Sequence, residues 1–200
     1  MLYWYHSNEG RMDMNVYDFD KTIYDGDSTM DFYLFSLKRH KKILALAPSL
    51  LGAVTRFYVF KKGSKTEMKE VMYRFLRFCD TEKDVADFWK THAAKIKPLY
   101  RERQRKDDVI ISASPEFLLR PVCDRLGISC LMASRVNPQT GIYEGVNCHG
   151  KEKVRRFREV FGEAGIEEFY SDSYSDTPLA ELSQKAYIVK GDSLSDWKYE

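Results

Sequence analysis

The spacing of apolar positions changes period along the chain, and each change marks an element. Residues 14–20, Met-Asn-Val-Tyr-Asp-Phe-Asp, form a short β-prone run that ends abruptly in acidic and turn-forming residues, 21–27. That pattern predicts a strand emptying into a loop. From Ser28 to about Arg105 apolar residues return at three- and four-residue steps, as in Met68, Val71, Met72, Phe75 and Leu76 and again in Val85, Phe88 and Trp89. This predicts an all-helical block. Val109-Ile110-Ile111 is a continuous apolar run of the kind a buried parallel strand carries. Ser112-Ala113-Ser114 follow it, and Pro115 is placed to open a helix that runs to about Leu126, before Gly127.

Residues 130–136 and 142–148 bracket Asn137-Pro138-Gln139-Thr140-Gly141, which predicts a β-hairpin. A helix from Lys151 carries Val154, Phe157, Val160 and Phe161 on one face. A strand at 168–171 then empties into Asp172-Ser173-Tyr174-Ser175-Asp176. A short helix at 179–185 and a last strand at 186–189 close the pattern. Strands alternating with helices predict an α/β chain whose mainly parallel sheet carries its site at the C-terminal ends of the strands. Residues 28–105 read as an insertion, with the core assembled from 1–27 plus 106–200.

Composition narrows the function classes. The 200 residues carry 32 Lys+Arg against 30 Asp+Glu, a net charge of +2, so no strong basic field exists to hold a nucleic acid. With 44% hydrophobic and 31% charged residues the chain is globular, not collagen-like or of low complexity. Cys79, Cys123, Cys130 and Cys148 form no CxxC pair, which fits reduced thiols and a cytoplasmic setting. Cys148-His149 has no second pair at ligand spacing, and His6, His40 and His92 receive no role. Residues 1–13 hold no apolar run of signal-peptide length, and Met12 and Met14 are alternative starts.

One segment bears on location. Residues 43–60 hold thirteen apolar residues of eighteen between Lys41-Lys42 and Lys61-Lys62. A helix of that length reaches about 27 Å, short of a ~30 Å hydrocarbon core, and it contains Pro48 and Arg56. Two readings stand: a helix buried within the helical block, or an amphipathic surface helix leaning on anionic lipid at the inner membrane face.

Three strand ends carry polar clusters: Asp18, Asp20 and Thr22 after the first, Ser112 and Ser114 after the second, Asp172 and Asp176 after a later one. The sheet rule gathers them at one rim. Four converging carboxylates repel unless a hard cation sits among them, and Mg²⁺ takes oxygen ligands. Hydroxyls at Thr22 and Ser112, with a lysine from the helix near residue 151, supply donors for a phosphoryl group. The residues thus point to Mg²⁺-assisted phosphoryl transfer.

Asp18-Phe19-Asp20-Lys21-Thr22 resembles motif I (DxDxT) of the haloacid dehalogenase-like (HAD) superfamily. Ile110-Ile111-Ser112 resembles its motif II, and Asp172-Ser173-Tyr174-Ser175-Asp176 its acidic motif IV, all in the family's order. The insertion after motif I resembles a C1 cap. Gly150-Lys151-Glu152-Lys153-Val154 is similar to the pattern of subfamily IB, the phosphoserine phosphatase-like enzymes. The resemblance covers about residues 14 to 190 and implies a Rossmann-like core with an inserted helical cap.

It further implies a phosphatase acting on a small phosphorylated substrate. Asp18 would be the nucleophile that becomes an aspartyl-phosphate, and Asp20 the general acid/base whose backbone carbonyl also ligates Mg²⁺. The Asp18 carboxylate and Asp172 would complete the protein ligands, with Asp176 acting from behind through water or by holding the loop. Ser112 would bind phosphoryl oxygens, with Thr22, Asp27 and Ser114 at the substrate. The motif III lysine is Lys153 or Lys151, which cannot share a helix face; the Glu-Lys-Val context favours Lys153. Asp27 stands where phosphoserine phosphatases carry Glu, and Ala113-Ser114-Pro115 replaces their Gly-Gly. Arg56, Phe57 and Tyr58 are further contact candidates. The Lys-flanked segment admits a lipid phosphate as substrate, as in phosphatidylglycerophosphate phosphatases of the subfamily. A phospho-accepting signalling switch and phosphoryl transfer to an acceptor other than water are the rival chemistries.

Overall fold

The computed structural model describes residues 14–199. Expectations for residues 1–13, including Met12 and His6, lie outside the described residues. The chain opens on β1 (Asn15–Tyr17) and then builds a long helical block: α1 (Ser28–Arg39), a 3₁₀ turn (Lys41–Leu46), α2 (Ala47–Tyr58) and α3 (Lys65–Tyr73). A second 3₁₀ turn (Arg74–Phe78), α4 (Thr81–His92) and α5 (Pro98–Arg103) complete the block. Then come β2 (Val109–Pro115), α6 (Glu116–Leu126), β3 (Cys130–Ser134), α7 (Lys151–Phe161) and β4 (Ile166–Ser171). After α8 (Thr177–Ala180) the chain ends in β5 (Ser183–Lys190) and β6 (Ser193–Asp196).

The six strands form one sheet in the order β3-β2-β1-β4-β5-β6, parallel except for β6. This is the mainly parallel α/β sheet that the alternating pattern predicts. β1 lies in the middle, with the chain moving to β2 and β3 on one side before returning to β4 on the other. Its C-terminal end is therefore the switch point where the flanking loops diverge and leave a crevice.

Both faces of the sheet are covered, which is why its strands are apolar throughout. Met14, Val16, Val109, Ile111, Phe157, Phe161, Phe169, Leu179 and Ile188 form the core under α7 and α8. The opposite core joins Tyr17, Ile110, Leu118 and Val122 to Phe32, Phe75, Phe88 and Trp89 of the helical block without a break. The Trp89 indole donates to the Leu118 carbonyl across this seam at 2.6 Å, satisfying the one polar atom of a fully buried ring. Helix boundaries follow local chemistry: Asp27 and Asp80 accept from the first turns of α1 and α4. Ser64 and Glu67 form a reciprocal capping box on α3, and Gly127 ends α6 in the left-handed conformation.

Four expectations change. Residues 43–60 are not one helix: a 3₁₀ turn gives way to α2 at Ala47, and Pro48 sits in the first turn, where its missing N–H breaks no bond. The hairpin at 130–148 contracts to β3 and a single Val136–Tyr143 bridge. Asn137 takes the amides of Gln139 and Thr140 on its own side chain, while Tyr143 N donates to Glu70 and the Thr81 hydroxyl to the Pro138 carbonyl. The loop keeps a short ladder of its own, Asn137 N to the Ile142 carbonyl and Glu144 N to the Arg135 carbonyl, and others of its hydrogen bonds go to the helical block. The helix expected at 179–185 spans only Thr177–Ala180, because parallel pairing with β4 claims the chain from Ser183. β6, an antiparallel partner of β5, carries no apolar alternation strong enough to announce it. Among the described residues no helix is long and apolar enough to cross a membrane, and the four cysteines are free thiols.

Gly141 brings the backbone of the 137–143 loop close against Tyr73 of the helical block. Its φ is +76°, and a Cβ there would lie 2.5 Å from the Tyr73 carbonyl oxygen. Gly141→Ala is expected to lower unfolding free energy by more than ~1 kcal/mol. Gly52→Ala, within α2 and facing open space, should raise it by about 0.5–1 kcal/mol through helix propensity. Urea titration of both variants reads the opposite signs.

Candidate active site

β1, β2 and β4 are neighbours in the sheet, so the residues that follow them meet at one rim. Asp18 continues the pairing of β1 by donating its amide to the Tyr170 carbonyl at 2.9 Å, which fixes its direction at the strand tip. The chain then turns away through Lys21, in the left-handed region at φ 59°. On β2 the register against β3 shifts between Ser112 and Pro115, a bulge that re-aims the Ser112-Ala113-Ser114 segment at the head of α6. Below the rim, a cavity of about 410 Å³ is lined by Asp18, Asp20, Asp27, Asp172 and Asp176, by Ser112 and Ser114, and by Lys21, Lys69 and Lys153.

Lys153, in the first turn of α7, is 2% exposed, whereas Lys151 is exposed. Its ammonium donates to Asp18 Oδ1 at 2.8 Å and to Asp176 Oδ2 at 2.7 Å. Burial alone would strip this proton, but the two carboxylates outweigh it and hold the lysine charged. Burial likewise pushes the Asp18 carboxyl up, Lys153 pulls it back, and Asp176 and Asp20 add repulsion. The Ser171 hydroxyl donates to Asp176 Oδ2 at 2.8 Å, while Asp176 Oδ1 is buried without a partner.

Asp20 is held differently. The Ser28 amide, at the start of α1, donates to Oδ1 at 2.6 Å, and the Ser114 hydroxyl donates to Oδ2. Thr29 in turn touches the Ser114 hydroxyl at 3.0 Å. Burial, with the charge of Asp27 behind it, raises the Asp20 carboxyl to about 6 against these donors. Two carboxyls two residues apart thus have distinct partners, one a buried cation and the other neutral donors.

The remaining expected residues divide. Asp172 lines the cavity with its side chain 24% exposed and Lys21 at 4.0 Å, and burial raises its carboxyl. Asp27 lines the cavity while capping α1 through Met30 N at 2.9 Å. Ser112 Oγ accepts from Ser114 N at 3.1 Å and borders the cavity. Ser114 serves Asp20 directly. Thr22 is not in the cavity: it is 2% exposed and lines a separate small void with Tyr17, Tyr100 and Tyr170. The loop geometry turns the first residue after the Lys21 kink back into the core. Tyr58 reaches the cavity, but Arg56 and Phe57 line an adjoining groove between α2 and α3 that shares only Met68 with it.

The sequence reading missed the Ser28 amide, Thr29 and the wall made by Met30, Met68 and Met72. Met68 and Met72 stand four apart on α3, a spacing that core and cavity walls share. The Asp27-Ser28 cap signal could have placed a helix N-terminus beside Asp20.

A sequence profile of the haloacid dehalogenase-like hydrolase family matches residues 16–181. The chain is 29% identical over 193 residues to protein CicA of Caulobacter vibrioides, covering 87% of this chain and 85% of the relative. Its fold is shared with a protein of unknown function from Bordetella pertussis, at 19% identity and a TM-score of 0.73 over 88% and 89% of the two chains. A phosphoserine phosphohydrolase-like protein from Francisella tularensis matches at 16% identity, with a TM-score of 0.53 over 88% and 86%.

Lys153→Met leaves two buried carboxylates facing one another and is expected to cost about 3–5 kcal/mol in chelator-treated protein. Lys151→Met should stay within ~0.5 kcal/mol of wild type. Denaturant titration of the pair identifies which lysine the acidic rim depends on.

Proposed function

Because the chain belongs to the haloacid dehalogenase-like hydrolase family, we propose that it is a magnesium-dependent phosphatase working through an aspartyl-phosphate on Asp18. One observation carries the reading: Asp18 and Asp20 share a strand tip, yet one is paired with a buried lysine and the other is held by neutral donors with its carboxyl near 6. Burial raises both carboxyls, Asp18 to about 7 and Asp20 to about 6, so it is the difference in partners that suits one to attack and the other to proton transfer.

The donor set suits a hard divalent ion. Five carboxylates line the cavity against three lysines, and Asp176 Oδ1 is buried without a hydrogen bond. Asp18 and Asp172, with the Asp20 backbone carbonyl, would hold Mg²⁺, and Asp176 would support from behind. When bound, the ion offsets the charge of the phosphoryl oxygens. Lys153 steers Asp18 through Oδ1, and Oδ2 has no hydrogen bond among the described residues. That oxygen attacks phosphorus, the bond to the leaving oxygen breaks, and Asp20 gives its proton to the departing alkoxide. Asp20 then takes a proton from water as the water oxygen attacks the aspartyl-phosphate, releasing phosphate and restoring Asp18. Ser114 and the Ser28 amide hold the Asp20 carboxyl throughout, and Ser112 is placed to meet phosphoryl oxygens. The helical block acts as the cap that shields the site. A signalling switch would not need the held second carboxyl that the Ser28 and Ser114 donors provide.

A second observation favours a phosphate on a lipid over a soluble one. α2 buries none of its residues, and Leu51, Val59 and Phe60 are 65–69% exposed. From Phe32 to Ser64 the chain holds no Asp or Glu, while Lys41, Lys42, Arg56, Lys61 and Lys62 are exposed. An apolar face with a basic rim fits an anionic bilayer, each cation near the surface adding about 1 kcal/mol. Tyr58 belongs both to this face and to the cavity wall.

Phosphate release from an aryl phosphate is expected to require Mg²⁺ and to fall by at least ~10³-fold in Asp18→Asn. Wild-type turnover in that variant would overturn the mechanism. On vesicles, the protein should sediment with phosphatidylglycerol but not with neutral lipid, and Leu51→Glu with Val59→Glu should abolish it. Absence of binding to anionic vesicles returns the substrate to the soluble class and leaves the chemistry at Asp18 intact.

A further inference from the structure

A second group of ligand-type side chains lies in the helical block, and none of its members lines the catalytic cavity. His40 ends α1, Cys79 follows the turn at Arg74–Phe78, and Asp84 sits in α4, yet their ligand atoms all lie within 4.8 Å of one another. Asp84 has a side chain only 2% exposed. Its Oδ2 is 2.6 Å from His40 Nε2, and its Oδ1 is 3.3 Å from Arg39 Nε.

A buried ion pair stapling α1 to α4 accounts for His40, Arg39 and Asp84 but does not use the Cys79 thiol, which lies against Asp84 and Ser36 and donates weakly to the Phe75 carbonyl at 3.6 Å. It also leaves Ser36 unexplained. That residue stands one turn before His40 and is 0% exposed, and its hydroxyl has the Cys79 thiol as its polar neighbour and no other partner among the described residues. A buried hydroxyl whose polar neighbour is a thiol, a weak hydrogen-bonding group, is poorly satisfied, and it stands beside three donor side chains.

We propose that His40, Cys79 and Asp84 form a zinc site that clamps three segments of the helical block, with a water in the fourth position bonded to Ser36. Nitrogen, sulfur and oxygen donors together suit borderline-soft Zn²⁺ and not Mg²⁺, which takes oxygen. The present spacing needs only small adjustment, because the ligand atoms of a tetrahedral zinc lie roughly 3–4 Å apart given metal–ligand bonds of about 2.0–2.3 Å. Asp84 is prepared to bind through one oxygen, since the Arg39 guanidinium already orients the other, the usual arrangement behind a metal-bound carboxylate. Access exists: the His40 side chain is 28% exposed, and Cys79 borders an open groove with Thr81, Val85 and Pro138. On binding, the thiol proton passes to solvent as the sulfur–zinc bond forms, and no redox change is involved.

The test uses the full chain, stripped with a chelator and dialysed against Zn²⁺ or Co²⁺. Wild type is expected to retain one equivalent of Zn²⁺ more than Cys79→Ser or His40→Ala, and to bind at least ~100-fold more tightly, since ligand loss should exceed the 10–100-fold effect of outer partners. Co²⁺-loaded wild type should show a thiolate-to-cobalt charge-transfer band that Cys79→Ser lacks, and Zn²⁺ should raise the melting temperature of wild type alone. Melting in chelator checks that both variants fold. Mg²⁺-dependent phosphatase activity of Cys79→Ser should equal that of wild type, which separates this site from Asp18. Equal zinc content in wild type and both folded variants, or a cobalt spectrum unchanged by Cys79→Ser, overturns the proposal and leaves an ion pair only.

Discussion

The buried ammonium of Lys153 is the contact on which the acidic rim depends. It joins the tip of β1 to the loop after β4 by bonding Asp18 and Asp176 at once. Removing a lysine and two carboxylates from water is expensive, and only mutual pairing at hydrogen-bond distance offsets it. Asp176 is further held by Ser171, so the network ties α7, β4 and β1 into one unit. Without the cation, the carboxylates that line this cavity would push the strand tips apart.

Around that contact the sheet assigns different environments to similar groups. β1 is only three residues long, but it is paired on both sides, and its register puts Asp18 beside β4 and Asp20 beside the head of α1. The bulge in β2 then delivers the Ser114 hydroxyl to Asp20. Burial raises both carboxyls, but two chemically identical groups acquire different partners, a cation for Asp18 and neutral dipoles for Asp20. The difference in surroundings follows from packing, not from residue type.

The helical block serves two masters. Phe32, Phe75, Phe88 and Trp89 bury it into the same core as one face of the sheet, which fixes α1 and α4 over the rim. α2 makes no such contribution: none of its residues is buried, and Leu51 and Tyr58 are exposed between the lysine pairs that flank the segment. The block thus has a packed seam on one side and an unburied face with a basic rim on the other.

Much of this was legible in the chain. The alternation of strand and helix periods, the acid pairs after β1 and β4, and the turn residues around them identified an α/β sheet with an acidic rim, because side-chain periodicity is imposed by local geometry. The Lys151 and Lys153 alternatives were visible but not separable; about 200° of helix rotation lies between them, and only the placement of α7 against the sheet decides which side is buried. Local pattern also misplaced Thr22, extended the 130–148 hairpin and missed β6. In each case a distant partner won: the core behind the Lys21 kink, the α3 and α4 surface under the loop, and the open edge of β5. His40 and Asp84 lie 44 residues apart, so no spacing could have linked them. Sequence determines what repeats within a few residues, whereas contacts closed over tens of residues exist only once burial has chosen which faces meet.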